Sequence, residues 1–339
     1  MLKKILIASA ICCTIVPSFA QKDSTKKSNT TFTAYVDGYF RGLLKNGDGS
    51  NNNYTSFTNS HNSFQLGMAS IKIDQSFGKL IASVDLGAGK RADEFSYNDH
   101  DVISHIKQAT LSYLVSDKLK LTAGKFSTHI GYELLDATSN RNYSMSYGFS
   151  YGPFFHTGFK ADLSLGGKSA LMIGVADPTD YSSFNKNPKY IIAQFSTASP
   201  NDKLKGYLNL VHGDITTQYN LVLLASLSDK MSAVFDGSIN QQKMGNLFSN
   251  WTSKAFYVNY DISEKFGLTI REDFFSDRNL NPIGIGSLNA TTLSGKIKVK
   301  KLTLIPEFRL DRGNTPLFDT KSGYTSSASN FILAAIYAF

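Results

Sequence analysis

The chain has 339 residues, with 35 Lys and Arg against 27 Asp and Glu, 24 Phe, 17 Tyr, 26 Gly and 8 Pro. The basic residues are dispersed, so the clustered patch that nucleic-acid binding needs is missing. No internal stretch approaches the ~18 consecutive apolar residues of a transmembrane helix, although transmembrane strands would not raise that signal.

Met1-Leu2-Lys3-Lys4 is a basic start, residues 5–16 are apolar, and Pro17-Ser18-Phe19-Ala20 puts small residues at the −3 and −1 positions. This is the pattern of a secretory signal over residues 1–20, cleaved after Ala20. An anchor helix fits less well, because the run is short and a polar tail follows. Both cysteines, Cys12 and Cys13, fall inside this segment. A mature chain would therefore have no disulfide, thiol nucleophile or Cys-ligated metal. A lipoprotein signal is a poor fit, because Ile11 precedes Cys12 where a small residue is wanted. Without Lys3 and Lys4 the balance is 33 basic to 27 acidic residues, a net of +6. Residues 21–30 read as a short disordered periplasmic tail, too short for a plug domain.

From residue 31 onward the pattern has period two. In 218–228, Tyr219, Leu221, Leu223, Ala225 and Leu227 share one face. In 231–240, Met231, Ala233, Phe235, Gly237 and Ile239 oppose Ser232, Val234, Asp236, Ser238 and Asn240. Residues 302–311 repeat the scheme. Such alternation means strands with one apolar and one polar face. At roughly ten to twelve residues they have the length of tilted membrane-crossing strands, against a usual mode of about five or six. Tight connections at 77–79, 116–118, 166–168, 199–202, 229–230, 264–265 and 300–301 alternate with longer polar ones. The longer ones are 45–62, 90–102, 129–154, 178–187, 242–251, 278–287 and 313–328; 213–217 is a short exception. Counting gives sixteen segments, from 31–43 to 328–339, with fourteen and eighteen also compatible where alternation is weak.

In lipid, every backbone N–H and C=O must be paired within the protein, so amphipathic strands must close into a barrel. The fold class is an all-β transmembrane antiparallel up-and-down barrel over residues 31–339, with short periplasmic turns and longer extracellular loops. Its inward set holds Asp37, Arg41, Asp85, Lys120, Lys160, Asp162, Lys205, Asp236, Arg271, Asp273, Lys296, Lys298, Glu307, Arg309 and Asp311. That is too much charge for a dry core and is expected of a wet lumen. A β-propeller is the soluble alternative, but no recurring Gly-His or Trp-Asp signature is present. The last strand places Phe331, Leu333, Ala335, Tyr337 and Phe339 on one face. Phe331, Tyr337 and the terminal Phe339 fit an outer-membrane assembly signal.

Gly124-Lys125-Phe126-Ser127-Thr128, Gly131-Tyr132-Glu133, Asn142-Tyr143-Ser144, Ser146, Pro153 and His156-Thr157-Gly158 form one distinctive stretch. Together with Ala34-Tyr35-Val36-Asp37-Gly38-Tyr39-Phe40 and Phe339, it resembles the OmpL-like β-barrel porins of Bacteroidetes. The resemblance spans the mature chain. It implies an outer-membrane porin-like barrel, and it carries no known substrate and no catalytic residues.

A sixteen-strand barrel is wide enough for a water channel unless something fills it. The longest loop, 129–154, is the candidate constriction, carrying Tyr132, Glu133, Asp136, Arg141 and Tyr143. Charges of both signs there would select among solutes; an ordinary surface loop packed by its aromatics is the alternative. The lumen set of eight basic and seven acidic residues points to weak ion selectivity with a slight anion preference. Lys296, Lys298 and Arg309 could form a basic stripe, but separate solvated charges suit them better. The acidic loop 91–101 lacks regular calcium-loop spacing and reads as solvated surface. No metal or cofactor is implied.

The leading function is passive diffusion of small hydrophilic solutes. A non-conducting barrel for surface binding is the alternative. An outer-membrane hydrolase would need geometry around Ser104–His105 or Ser127–His129 that spacing cannot supply. Expected partners are outer-membrane lipid and lipopolysaccharide, the barrel-assembly machinery through the C-terminal strand, and small solutes, with no nucleic acid. Both termini are expected on the periplasmic side. No segment marks an oligomer face, so a homo-oligomer stays open.

Overall fold

The computed structural model describes residues 28–45, 52–186, 188–245, 247–278 and 283–339. The proposed signal, residues 1–20, lies outside them. So does the tail up to residue 27, and the first strand already begins at Asn29.

The barrel strands are β1 (Asn29–Lys45), β2 (Ser63–Phe77), β3 (Leu80–Ala88), β4 (Ile106–Ser116), β5 (Leu119–Ser127) and β6 (Phe155–Gly166). They continue through β7 (Ser169–Ala176), β8 (Tyr190–Ala198), β9 (Leu204–His212), β10 (Thr216–Ser226) and β11 (Met231–Met244). The circuit ends with β12 (Leu247–Asp261), β13 (Phe266–Arg278), β14 (Ser287–Val299), β15 (Leu302–Gly313) and β18 (Ser327–Ala338). Each pairs antiparallel with its chain neighbour, and β18 returns to β1 to close sixteen strands into a barrel. At the seam Tyr39 faces Ala334 and Asp37 faces Ile336, so no strand edge is left for lipid to meet. A two-stranded hairpin, β16 (Phe318–Thr320) and β17 (Gly323–Thr325), stands in the last long connection.

Alternation decides which face meets lipid. Along β12, Trp251, Ser253, Ala255, Tyr257 and Asn259 turn inward, while Phe256, Val258 and Tyr260 are exposed outward. Phe256 lies directly across from Phe235 on β11, ring centres 5.1 Å apart, and such a pair adds about 0.2–1 kcal/mol. At the short-turn rim, Gly78 carries the positive φ of 57° that a tight hairpin requires.

Two connections differ from the sequence reading. Residues 242–251 are not a long loop. β11 and β12 pair on through Lys243 opposite Phe248, but Leu247 and Phe248 stand side by side and break the hydropathy alternation. Residues 91–101 are not a solvated surface loop either. Lys90–Phe95 form a short helix, α1, whose Arg91 and Phe95 are fully buried.

The largest difference is inside the barrel. A buried cluster joins the wall residues Tyr35, Tyr39, Ile305 and Ile332 to Phe57, Phe95, Tyr143, Met145 and Phe149 from loops folded into the lumen. This part of the lumen is therefore packed like a soluble core.

Candidate functional site

The segment between β5 and β6 crosses the lumen, and its neck is closed by the Thr128 amide donating to the Phe154 carbonyl (3.0 Å). Its first leg reaches β10 and β11: the Gly131 amide donates to Asn220 (3.1 Å) and the Tyr132 amide to Asp236 (2.9 Å). Gly131 has φ +88°, and a Cβ there would sit 3.2 Å from an Asp236 oxygen, so glycine permits this approach. The Tyr132 ring meets Tyr257 edge-on at 4.9 Å. Asp136 accepts the Tyr35 hydroxyl (2.9 Å) and pairs with Lys107 (2.7 Å). Arg141 forks onto both oxygens of Asp261 at 2.8 Å.

The second leg docks on β13 to β15 and β1. The amides of Tyr143 and Ser144 donate to the two oxygens of Glu307 (2.8 and 3.0 Å). The Tyr143 hydroxyl donates to Asp37 (2.6 Å). A one-turn helix follows, α2 (Tyr147–Tyr151), capped by the Ser146 hydroxyl accepting the Phe149 amide. The Tyr147 hydroxyl donates to Asp311, and Arg309 stacks over the Tyr147 ring.

Arg271 is the hub of this arrangement. Its guanidinium donates to Glu133 (2.7 Å), Asp273 (3.1 Å), the carbonyls of Ser144 and Met145 (2.8 and 3.2 Å) and Thr292 (3.2 Å). Taking such charges out of water costs several kcal/mol per ion, and only complete pairing offsets it. This is why the loop, and not water, meets the inward charges.

The expectation of a solvated lumen set is corrected accordingly. Asp37, Arg41, Asp85, Asp236, Arg271, Asp273, Glu307, Arg309 and Asp311 are buried. Arg41 donates to the carbonyls of Ser60 and Asn52 (2.7 and 3.1 Å), and Asp85 pairs with Lys107 (3.0 Å). Lys120, Lys160, Asp162, Lys205 and Lys296 are partly covered, and Lys298 is exposed near the short-turn rim. Arg309 lies opposite Thr292 in the ladder and pairs with Asp311 (2.8 Å), so it forms no basic stripe with Lys296 and Lys298. Phe331, Tyr337 and Phe339 are exposed on the outer face. Ser104 donates to the Asp101 carbonyl, and His105 contacts the Gly87 carbonyl. Neither makes a Ser–His contact among the described residues.

Three important residues escaped the alternation. A bulge between Asp85 and Leu86 turns Lys107 inward against the parity of its strand. Arg91 reaches in from α1, donating to the carbonyls of Leu135 and Tyr143 (both 3.2 Å) and stacking on Phe57 and Tyr143. Asp180 holds the far end of the loop, accepting the amides of Phe154 (2.6 Å) and Phe155 (3.0 Å) and the Tyr97 hydroxyl (3.1 Å). The i,i+4 pair Lys90–Glu94 (3.4 Å) was the one local signal for α1.

The two ends of the loop answer to pH in opposite directions. Burial pushes Asp180 up from 3.8 to about 6, beyond what its amide and hydroxyl donors pull back. An acid raised in the folded state costs stability above that value, and the cost is relieved as pH falls from 6 toward 4. Burial lowers His129 from 6.5 to about 4, its ring contacting the Leu210 carbonyl at 3.0 Å. This base costs stability as pH falls from 6.5 toward 4. Each effect is on the order of 3 kcal/mol by the usual conversion of shift to energy. Urea unfolding at pH 7 and pH 4 should show Asp180→Asn losing ground to wild type on acidification and His129→Gln gaining it. Parallel pH curves for all three proteins would contradict these placements.

Open space remains beside the docked loop. On the long-loop side a cavity of about 630 Å³ is lined by Glu94, Tyr97, Tyr151, Gln218, Asn240 and Gln242, among others. On the short-turn side a cavity of about 440 Å³ is lined by Lys107, Lys120, Phe126, Asp136, Lys160 and Asp162, among others. Beside the smaller cavity, sharing His129, Leu134 and Gln194 with it, a pocket of about 30 Å³ sits where Gly131 to Leu134 face Gln194, Tyr207 and Asn209.

A family model described as "Putative beta-barrel porin-2, OmpL-like" matches residues 29–339. The chain belongs to this porin family. No curated protein matches the sequence. Among solved structures, the outer-membrane channel DcaP of Acinetobacter baumannii superposes with a TM-score of 0.65 at 12% identity, over 92% of this chain and 97% of that one. The trimer form of OmpT from Vibrio cholerae gives 0.62 at 12% identity, over 92% and 99%. An anion-selective porin from Comamonas acidovorans gives 0.61 at 12% identity, over 92% and 100%. At such identities the likeness is one of fold. This OmpL-like porin is an outer-membrane barrel, and its family and structural neighbours are channels.

Proposed function

We propose that this porin passes small hydrophilic solutes by passive diffusion, with loop 128–154 as the constriction. The supporting observation is the loop itself. It is pinned to strands on several sides of the lumen, yet its start (128–136) lines a cavity of about 440 Å³ against β4 to β8, and its end (150–154) lines one of about 630 Å³ against β9 to β11. The route would run past Tyr132 and Glu133, with Arg141 and Tyr143 holding the loop in place. Liposome swelling with arabinose, glucose, sucrose and raffinose tests this reading. Swelling is expected to fall steeply above monosaccharide size, and replacing residues 131–150 with a Gly-Ser linker should admit the larger sugars. Equal swelling by all four sugars in wild type would contradict the constriction.

One observation favours a non-conducting, surface-binding barrel instead. The pocket of about 30 Å³ beside Tyr132 and Glu133 has room for about two water molecules. Liposomes that fail to swell even in arabinose, while holding a fully folded barrel, would select that reading.

The remaining assignments also stand as proposals: export by a signal cleaved after Ala20, periplasmic termini, and lipopolysaccharide around the outer aromatic face. Phe331, Tyr337 and Phe339 are proposed to present the C-terminal strand to the assembly machinery. Deleting Phe339 should lower the amount of barrel in the outer membrane several-fold, measured by heat-modifiable gel shift. Refolding in detergent should be unchanged. Equal yields in cells would remove this role.

A further inference from the structure

The ion pairs around the 440 Å³ cavity do not balance locally. At one end, on β5 and β6, Lys120 and Lys160 share the single carboxylate of Asp162, both at 3.3 Å. The Lys160 ammonium also lies 5.2 Å from the centre of the Phe126 ring, which takes it partly out of water. This end has an ammonium to spare. At the other end the excess is reversed. Lys107 is shared by Asp85 (3.0 Å) and Asp136 (2.7 Å). One oxygen of Asp136 takes both Lys107 and the Tyr35 hydroxyl, and the other has no partner among the described residues. The remaining lysine of the lining, Lys72, is neutralised by Asp74 (3.1 Å).

The two centres are set apart along the barrel. Lys160 stands opposite Thr122 on β5, whereas Asp85 faces Gln108, beside the Ala109 that meets Lys125. The ladder therefore separates them by several residues at about 3.4 Å each. Lys120, Lys160 and Asp136 all line the one cavity, so their charged groups approach one another more closely than the backbone spacing. A free amino acid is too short to touch both. An extended peptide advances about 3.3–3.6 Å per residue, so two or three residues span the gap. The rest of the lining includes the apolar Phe126, Leu134, Leu171 and Met172, with the Gln194 and Ser196 side chains as hydrogen-bonding groups. A cavity of 440 Å³ falls in the usual range for small-ligand sites.

We propose that this cavity binds a short peptide with free termini, its carboxylate at Lys120 and Lys160 and its ammonium at Asp136. This names a solute class for the channel proposed above and rests on that reading for passage, though not for binding.

Saturation-transfer NMR on the refolded barrel in detergent measures binding without requiring conductance. Tri-L-alanine is expected to bind at least ten-fold more tightly than N-acetyl-trialanine, trialanine amide or free alanine. Lys120→Gln/Lys160→Gln should cost trialanine ten-fold or more and leave the amide unchanged. Asp136→Asn, which keeps an oxygen for Lys107 and Tyr35, should cost trialanine and leave the acetylated peptide unchanged. Should the double lysine variant fail to fold, Lys120→Gln alone is expected to move affinity the same way by a smaller factor. Acetylated peptide binding as tightly as trialanine would make this an anion site and overturn the proposal. So would the amide or free alanine binding as tightly, or no binding by any probe. Sugar permeation without peptide binding would reject the site and leave the channel. Peptide binding without permeation would do the reverse.

Discussion

Replacing Arg271 by alanine is expected to release the loop from the wall and raise conductance several-fold. The guanidinium is fully buried and holds Glu133, the carbonyls of Ser144 and Met145, and Asp273 and Thr292 on the wall at once. Its loss leaves Glu133 in a dry site without its counter-charge and leaves Asp273 with Arg309 alone, at 3.8 Å. Removing one partner of a buried pair costs about 3–5 kcal/mol. The barrel ladder itself is untouched, so the penalty falls on the docked loop. Amide exchange at residues 143–146 should accelerate while exchange in the strands stays slow. The double variant Glu133→Gln/Arg271→Met should recover part of the loss, because it removes charge from both sides. Unchanged exchange at 143–146 in Arg271→Ala would show that the loop is held by something else.

Glu307 carries the second large effect. Its two oxygens separately accept the amides of Tyr143 and Ser144, and one of them also takes the Ser294 hydroxyl at 2.7 Å. Glu307→Ala orphans two buried backbone donors, each worth about 1–3 kcal/mol when left unmade. Glu307→Gln keeps one accepting oxygen and should lose about half as much. The order wild type, Gln, Ala in urea midpoint is the expected result. A Gln variant as unstable as Ala would mean that the negative charge, and not the paired geometry, does the holding.

The barrel was readable in the sequence because lipid imposes a rule that residues cannot evade. Outward positions must be apolar, so the alternation at 218–228 and 302–311 reported strand and face together. Strand ends drifted where that rule lapses. At Leu247-Phe248 the ladder runs on although the hydropathy pattern breaks. Inside the barrel no such rule applies. The length and aromatic content of 129–154 marked it as special, but its partners lie far away in sequence. Tyr143 meets Asp37 and Glu307, and Arg141 meets Asp261. Such pairings depend on closure of the whole circuit and leave no local periodicity. Lys107 was lost for a smaller reason, since one bulge residue reverses strand parity. The inward charges read as water-exposed because a wide barrel has room for water. Their burial follows from loops entering the lumen, which no single strand reveals.

Single-channel recording of the refolded chain, without residues 1–20, in a planar bilayer under a salt gradient tests the constricted-channel account most directly. The account predicts stepwise openings of small, well-defined conductance, several-fold larger in Arg271→Ala, with a reversal potential near zero. A folded, inserted barrel that shows no steps in wild type would contradict it, and so would one that conducts equally before and after the loop is released.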